Sequence, residues 1–154
     1  MHPFFAKQYQ VTRAMLDQNG HVNNVVYVNW MQDVAIEHGK LAGFAGTLGD
    51  NSDFGWAARS HHIHYRHPAY LDDRIIAVTW ISTTRRVGCQ RKYHFQLFTP
   101  EGTLKSTVEA ETDWVFVNRR NGRPSRIPIE SQQKIQALPQ EPYAEDVQAF
   151  LSSR

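Results

Sequence analysis

The hydrophobic period of this chain changes once and does not change back. From Val25 onward Tyr27, Met31, Val34, His38 and Leu41 recur at steps of three or four, which aligns them along one face of an α-helix. Beyond residue 55 the pattern is that of strands. Residues 56–65, 74–82, 87–98 and 104–118 are runs rich in β-branched and aromatic side chains, most of them separated by turn chemistry. The run 74–82 reads apolar on both faces, Ile76, Val78 and Trp80 against Ile75, Ala77 and Thr79. Thr99-Pro100-Glu101-Gly102 between the last two runs is a hairpin signal. An earlier stretch, 4–13, alternates aromatic and polar residues and reads as a first strand, whereas 45–55 reads as a connecting loop. One strand, one long helix and four more strands joined mostly by short turns predict an α+β fold. Its antiparallel sheet of about five strands carries the helix packed across it. Such a sheet has two edges with unpaired backbone groups, and a second copy of the chain can close them, so a homo-oligomer is expected.

The ends of the elements are marked as well. Asn23 or Asn24 suits the helix N-cap, because its side-chain oxygen can accept from an unpaired amide of the first turn. Gly39 and Gly43 offer stops. A short C-terminal helix is expected over 128–138, with Pro128 in its first turn and Pro139 and Pro142 ending it. The organisation read from this is one domain over 1–140 and a frayed tail over 141–154.

Charge and composition exclude several classes of function. Lys and Arg total 17 against 15 Asp and Glu, a net charge of +2 that is too even for a general nucleic-acid binder. The arginines are clumped, however, as Arg85-Arg86, Arg91-Lys92 and Arg119-Arg120 with Arg123 and Arg126, which suits a small polyanionic ligand better than a polymer. The longest apolar run, Val25-Val26-Tyr27-Val28, is far below the roughly 20 residues of a membrane span. Met-His-Pro-Phe-Phe at the start lacks the basic and apolar regions of a secretory leader, so a cytoplasmic location is expected. Cys89 is the single cysteine, which rules out an intrachain disulfide. His61-His62-x-His64 with His67 has one metal-ligand spacing but no cysteine nearby, and no metal is expected there. Neither a phosphate-cradling glycine loop nor a Gly-x-Ser-x-Gly elbow is present.

The chemistry concentrates in Asp17-Gln-Asn-Gly-His21-Val-Asn-Asn24, which runs straight into the helix start. A helix start leaves amides unpaired and carries about half a positive charge, so it stabilises a developing oxyanion. A carboxylate one loop earlier can face an electrophile held by those amides, which is the pairing acyl transfer needs. The same residue types also serve as ordinary caps and turns, and composition alone leaves both readings open.

Asp17-x-x-Gly20-His21-Val22-Asn23-Asn24-x-x-Tyr27 resembles the signature of hotdog-fold acyl-thioester hydrolases. These include the 4-hydroxybenzoyl-CoA thioesterase type, bacterial long-chain acyl-CoA thioesterases and plant acyl-carrier-protein thioesterases. A second segment, Tyr65-Arg66-His67-Pro68-Ala69-Tyr70-Leu71-Asp72, resembles the Tyr-Arg-x-Pro-Ala stretch between the second and third strands of that family. The resemblance covers about residues 4–138. It implies the hotdog fold, one long central helix wrapped by a curved antiparallel sheet, with active sites at a dimer interface in a homodimer or homotetramer. It puts Asp17 on the catalytic carboxylate, nucleophile or general base, and the Asn24 backbone N–H on the carbonyl-polarising position. It places His21 in the catalytic loop and Tyr27 among the substrate contacts, and it puts Arg85 and Arg86 on coenzyme A phosphates, where paired guanidinium forks suit phosphate oxygens. It requires no cofactor. The expected substrate is an acyl-CoA or acyl-carrier-protein thioester, fatty rather than aryl because the His-Val-Asn-Asn form is closer to the fatty-acyl members. The chain departs from its relatives at Met15, where many carry a second acid, and at Gln32, where a Glu is common and Asp33 stands beside it. An enoyl-thioester hydratase or dehydratase and a non-catalytic acyl-CoA-binding module are the competing readings.

Overall fold

The computed structural model describes residues 2–44 and 52–154. The chain runs β1 (Phe4–Gln10), a single 3-10 turn (Arg13–Met15), α1 (Asn24–Ala42), β2 (Phe54–Tyr65), β3 (Arg74–Arg85), β4 (Gly88–Phe98), β5 (Leu104–Asn118), α2 (Ile129–Lys134) and α3 (Ala144–Ser152). The loop expected over 45–55 lies outside the described residues as far as residue 51, and its end already belongs to β2.

All five strands form one antiparallel sheet in the order β1-β3-β4-β5-β2. The first strand is thereby carried across to pair with the third, Phe4 opposite Trp80 and Gln10 opposite Arg74. Among the described residues no further strand pairs with either edge, β1 or β2, and β2 is a twelve-residue edge whose second half is largely exposed.

Helix α1 crosses one face of the sheet. Asn23 is its N-cap, with Oδ1 accepting from the Val25 N–H at 3.0 Å, and Gly43 ends it in the left-handed conformation that a side chain disfavours. Tyr27, Trp30, Met31, Val34 and Ala35 of the helix pack on Phe5, Ile75, Ala77, Tyr93, Phe95 and Val108 of the sheet. Met31, Val34, Ile75 and Phe95 are fully buried, so helix and sheet meet directly.

Strand β3 is buried from Ile75 through Ser82 on both faces. What covers its second face is the C-terminus: Val147, Phe150 and Leu151 of α3, together with Leu138, pack on Phe4, Ala6, Ile76, Val78 and Trp80. Where the sequence reading expects a frayed tail, residues 144–152 thus form a packed helix. The helix expected over 128–138 is shorter than read, ending at Lys134, because residues up to 138 leave helical geometry so that the Leu138 N–H can bond the Ile81 carbonyl at 2.8 Å.

Candidate active site

The segment before α1 is a tight hairpin. Leu16 bridges Val22, the Asp17 N–H donates to the His21 carbonyl at 2.9 Å, and the Asn23 N–H donates to the Met15 carbonyl at 2.9 Å. Gly20 closes the turn at φ 80°, a conformation that glycine adopts without a Cβ penalty. The second motif docks on its far side: the Val22 N–H donates to the Ala69 carbonyl at 2.9 Å, and His21 bridges Tyr70. The two motifs quoted from the sequence are therefore neighbours in space.

Asp17 sits at the tip of this hairpin with its side chain 23% exposed. Its Oδ1 accepts the Asn19 N–H at 2.8 Å, and its Oδ2 lies 3.7 Å from Nδ1 of His21, whose ring stands edge-on to Tyr70. At the helix tip the Asn23 side chain takes the Val25 N–H and the Asn23 carbonyl takes that of Val26 at 2.9 Å. The Asn24 N–H makes no hydrogen bond among the described residues, so it is one of the orphan donors every helix start leaves. Asn24 follows by three residues the position opposite Asp17, an offset of at most about 10 Å for extended chain.

Of the eight large apolar side chains exposed among the described residues, Val25, Tyr65, Tyr70 and Leu71 belong to the three segments joined here: the start of α1, the end of β2 and the second motif. Tyr65 ends β2 and donates its hydroxyl to the Asn24 carbonyl at 3.1 Å; burial raises its phenol above the usual range. Sequence reasoning placed Tyr65 in a motif without a role, because the residue it touches is 41 positions away.

The other expected residues are placed differently. Tyr27 is a core residue, its ring edge-on to Trp30, Tyr65 and Phe95, with its buried hydroxyl beside Thr107; burial raises its phenol. Arg85 and Arg86 lie at the β3–β4 turn, at the opposite end of β3 from Asp17. Arg85 is held by Asp113 at 2.7 Å, whereas the Arg86 side chain is exposed. The eleven steps from Arg74 to Arg85 amount to about 36 Å along the strand, so these arginines and Asp17 do not meet in one chain. Arg119, Arg120, Arg123 and Arg126 gather at the arginine end, where the Ile127 N–H donates to the Arg86 carbonyl and the Arg119 N–H to that of Asp53.

Asp33 does not join the site. Against the cost of its burial, the Tyr9 hydroxyl and the Lys7 ammonium hold its carboxyl below the usual range, and Lys7 also binds Glu37 at 2.9 Å. The trio is a clamp between β1 and α1. Of the histidine cluster, His61 bonds the Thr112 hydroxyl at 2.7 Å, while His62 and His64 line an open groove beside Trp80, Lys92, Glu109 and Glu111. Among the described residues no group of three or more His, Cys, Asp or Glu side chains is placed to hold a metal ion. No described helix is long and apolar enough to cross a membrane.

A long helix wrapped by a five-stranded antiparallel sheet, with a carboxylate hairpin leading into the helix tip, is the hotdog fold of thioester hydrolases. The family model of the thioesterase-like superfamily matches residues 11–145. The chain belongs to that superfamily and, by that membership, is a thioester hydrolase. Among solved structures it is similar to a mutant 4-hydroxybenzoyl-CoA thioesterase complexed with 4-hydroxybenzoyl-CoA, at 17% identity over 87% of this chain and 99% of that one (TM-score 0.78). A Staphylococcus aureus hypothetical protein in complex with CoA matches at 18% identity over 85% of this chain and 80% of that one (TM-score 0.74). A DHNA-CoA thioesterase from Staphylococcus aureus matches at 14% identity over 97% and 94% (TM-score 0.75). A search of curated protein sequences finds no match.

Proposed function

We propose that the chain hydrolyses acyl-CoA thioesters to the free acid and coenzyme A, with Asp17 as general base and the Asn24 amide as oxyanion donor. The observation that carries this reading is the unpaired Asn24 N–H at the tip of α1, three residues beyond the position opposite a half-buried carboxylate. The offset of at most about 10 Å accommodates a carboxylate, a water and a carbonyl in sequence, each within hydrogen-bonding or attack distance of the next. Asp17 takes a proton from the water as its oxygen bonds to the carbonyl carbon. The carbonyl oxygen gathers negative charge at the Asn24 amide and the positive end of α1. The C–S bond then breaks, the carbonyl reforms, and the thiolate leaves and takes up the proton from Asp17. His21, 3.7 Å from the carboxylate, orients it.

The acyl group follows the exposed rim of Val25, Tyr65, Tyr70 and Leu71, since Met31, Val34, Ile75 and Phe95 fill the space beneath the helix. An apolar rim of this kind favours a fatty acyl chain, and the resemblance in the His-Val-Asn-Asn segment points the same way. The nucleotide rests on arginines of a second copy, led by Arg86, because the arginines of the same chain stand at the far end of β3. The twelve-residue edge of β2 is the surface through which two copies pair.

The test is free-thiol release across a panel of acyl-CoAs of increasing chain length, with an aryl-CoA and an acyl-carrier-protein thioester included, for wild type against Asp17→Ala. Activity in the wild type that Asp17→Ala abolishes supports the reading. Equal rates for the two proteins would sink it.

A further inference from the structure

We propose that Tyr65 is the positioning residue of the oxyanion site: its hydroxyl, bonded to the Asn24 carbonyl, holds the first residue of α1 so that the Asn24 N–H stays aimed at the substrate. The inference rests on the reading of Asn24 as oxyanion donor and adds to it the device that keeps that donor in place.

The need for such a device follows from where the donor sits. Asn24 is exposed and is the first residue of its helix, where ends fray. The Asn23 cap secures the amides of Val25 and Val26, not that of Asn24. An oxyanion donor acts through preorganisation, so a mobile amide at this point forfeits much of its effect. Tyr65 supplies the missing tether from the sheet side, with its hydroxyl 3.1 Å from the Asn24 carbonyl.

Tyr65 is itself held at both ends. Its backbone is the last register pair of β2 with β5, opposite Val108, and the next residue continues the attachment through the Arg66 N–H to the Thr107 carbonyl at 2.7 Å. Its ring rests edge-on against buried Tyr27, centroids 5.9 Å apart. The phenol is thus a short strut from the end of the sheet, along the flank of the aromatic core, to the helix tip. Tyr65 remains 41% exposed, so replacing the hydroxyl leaves no buried polar group unpaired, unlike a core substitution. The signal in the sequence is the motif tyrosine at the end of a strand; its partner is set where the end of β2 meets the tip of α1.

Tyr65→Phe removes the hydroxyl and keeps the ring. With an acyl-CoA that the wild type hydrolyses, kcat is expected to fall about tenfold, the worth of one hydrogen bond to a preorganised group, while KM stays within about twofold because the rim is intact. The melting temperature is expected to stay unchanged, and the Asn24 amide cross-peak in a 1H–15N spectrum to shift and broaden. A Tyr65→Phe enzyme with wild-type kcat overturns the inference, as does a loss of kcat matched by a loss of melting temperature. Asp17→Asn, measured in parallel, keeps the two claims apart: if it is inactive while Tyr65→Phe is fully active, only the tether fails. Should the wild type release no thiol from any acyl-CoA, the hydrolase reading falls, and an unmoved Asn24 amide in Tyr65→Phe would then overturn the tether as well.

Discussion

Nη1 of Arg91 donates a hydrogen bond to Nδ1 of His38, 2.9 Å away, in a part of the core that admits solvent to neither residue. His38 passes its own N–H, on Nε2, to the His2 carbonyl at 2.7 Å, and Arg91 also bonds the Thr79 hydroxyl at 3.0 Å. No carboxylate of the described residues accompanies the guanidinium. The arrangement requires a neutral imidazole, and burial followed by the Arg91 charge pushes the His38 pKa down to about 3.

That pairing predicts acid sensitivity. The folded imidazole stays neutral down to about pH 3, whereas the unfolded chain takes up the proton near its ordinary pKa of about 6.5. Acidification between those limits therefore favours unfolding, by at most about 1.4 kcal/mol per pH unit from this one group. Urea unfolding at pH 7.5 and 4.5 measures the loss. His38→Phe is expected to flatten the dependence whatever its own cost in stability, and an unchanged slope would contradict the assignment.

Asp17→Asn keeps the size of the side chain and its place in the hairpin but removes the base. Thiol release is expected to drop about 100-fold or more, with circular dichroism and melting temperature unchanged. Because the Asp17 side chain is paired, among the described residues, only with the Asn19 amide and, at 3.7 Å, with His21, the substitution carries little structural cost.

The two arginines of the β3–β4 turn are expected to behave differently. Arg86 is exposed and has no ion pair among the described residues, so Arg86→Glu should raise KM for acyl-CoA about tenfold at low salt, less at high salt. A truncated thioester lacking the nucleotide should show no change. Arg85 is held by Asp113 at 2.7 Å, and Arg85→Ala should cost less in KM.

Helix α3 should carry measurable stability. The Phe150 ring sits 5.4 Å from that of Phe4 and 5.6 Å from that of Phe5, centroid to centroid. Phe150→Ala is expected to cost about 3 kcal/mol, the low end for a buried phenylalanine because this one is only partly covered. A midpoint shift in urea at constant slope would show it.

Much of this was legible before the structure. The helix face from Tyr27 to His38, the Asn23 cap, the Gly43 stop and the hairpin at Pro100-Glu101-Gly102 are local signals, decided by residues a few positions apart. So was the juxtaposition of Asp17 with a helix start. What was missed depends on contacts between distant segments. The packing of α3 is one: its Val147 and Phe150 look like tail residues until the two-faced burial of β3 asks what covers the second face. Ile76, Val78 and Trp80 carry the signal for that cover, but nothing local to them says which segment supplies it. The tether of Tyr65 to Asn24 and the burial of Arg91 beside His38 had no local signal, since partners 41 and 53 positions apart meet only when the strands pair. Asp33, which stands beside the departure at Gln32, is engaged by Lys7 and Tyr9 of the crossed-over first strand, a contact that no local pattern announces.

The strand that carries Arg74 at one end and Arg85 at the other keeps the acid of the hairpin and the cationic turn permanently apart within a chain. In the proposed assembly each copy lends one pole to its neighbour, and turnover then scales with how much of the protein is paired. Dilution alone then loosens the hold on acyl-CoA, and a mixture of Asp17→Asn chains, which lack the base, and Arg86→Glu chains, which bind acyl-CoA poorly, should recover the wild-type KM in the hybrid that unites an intact pole from each.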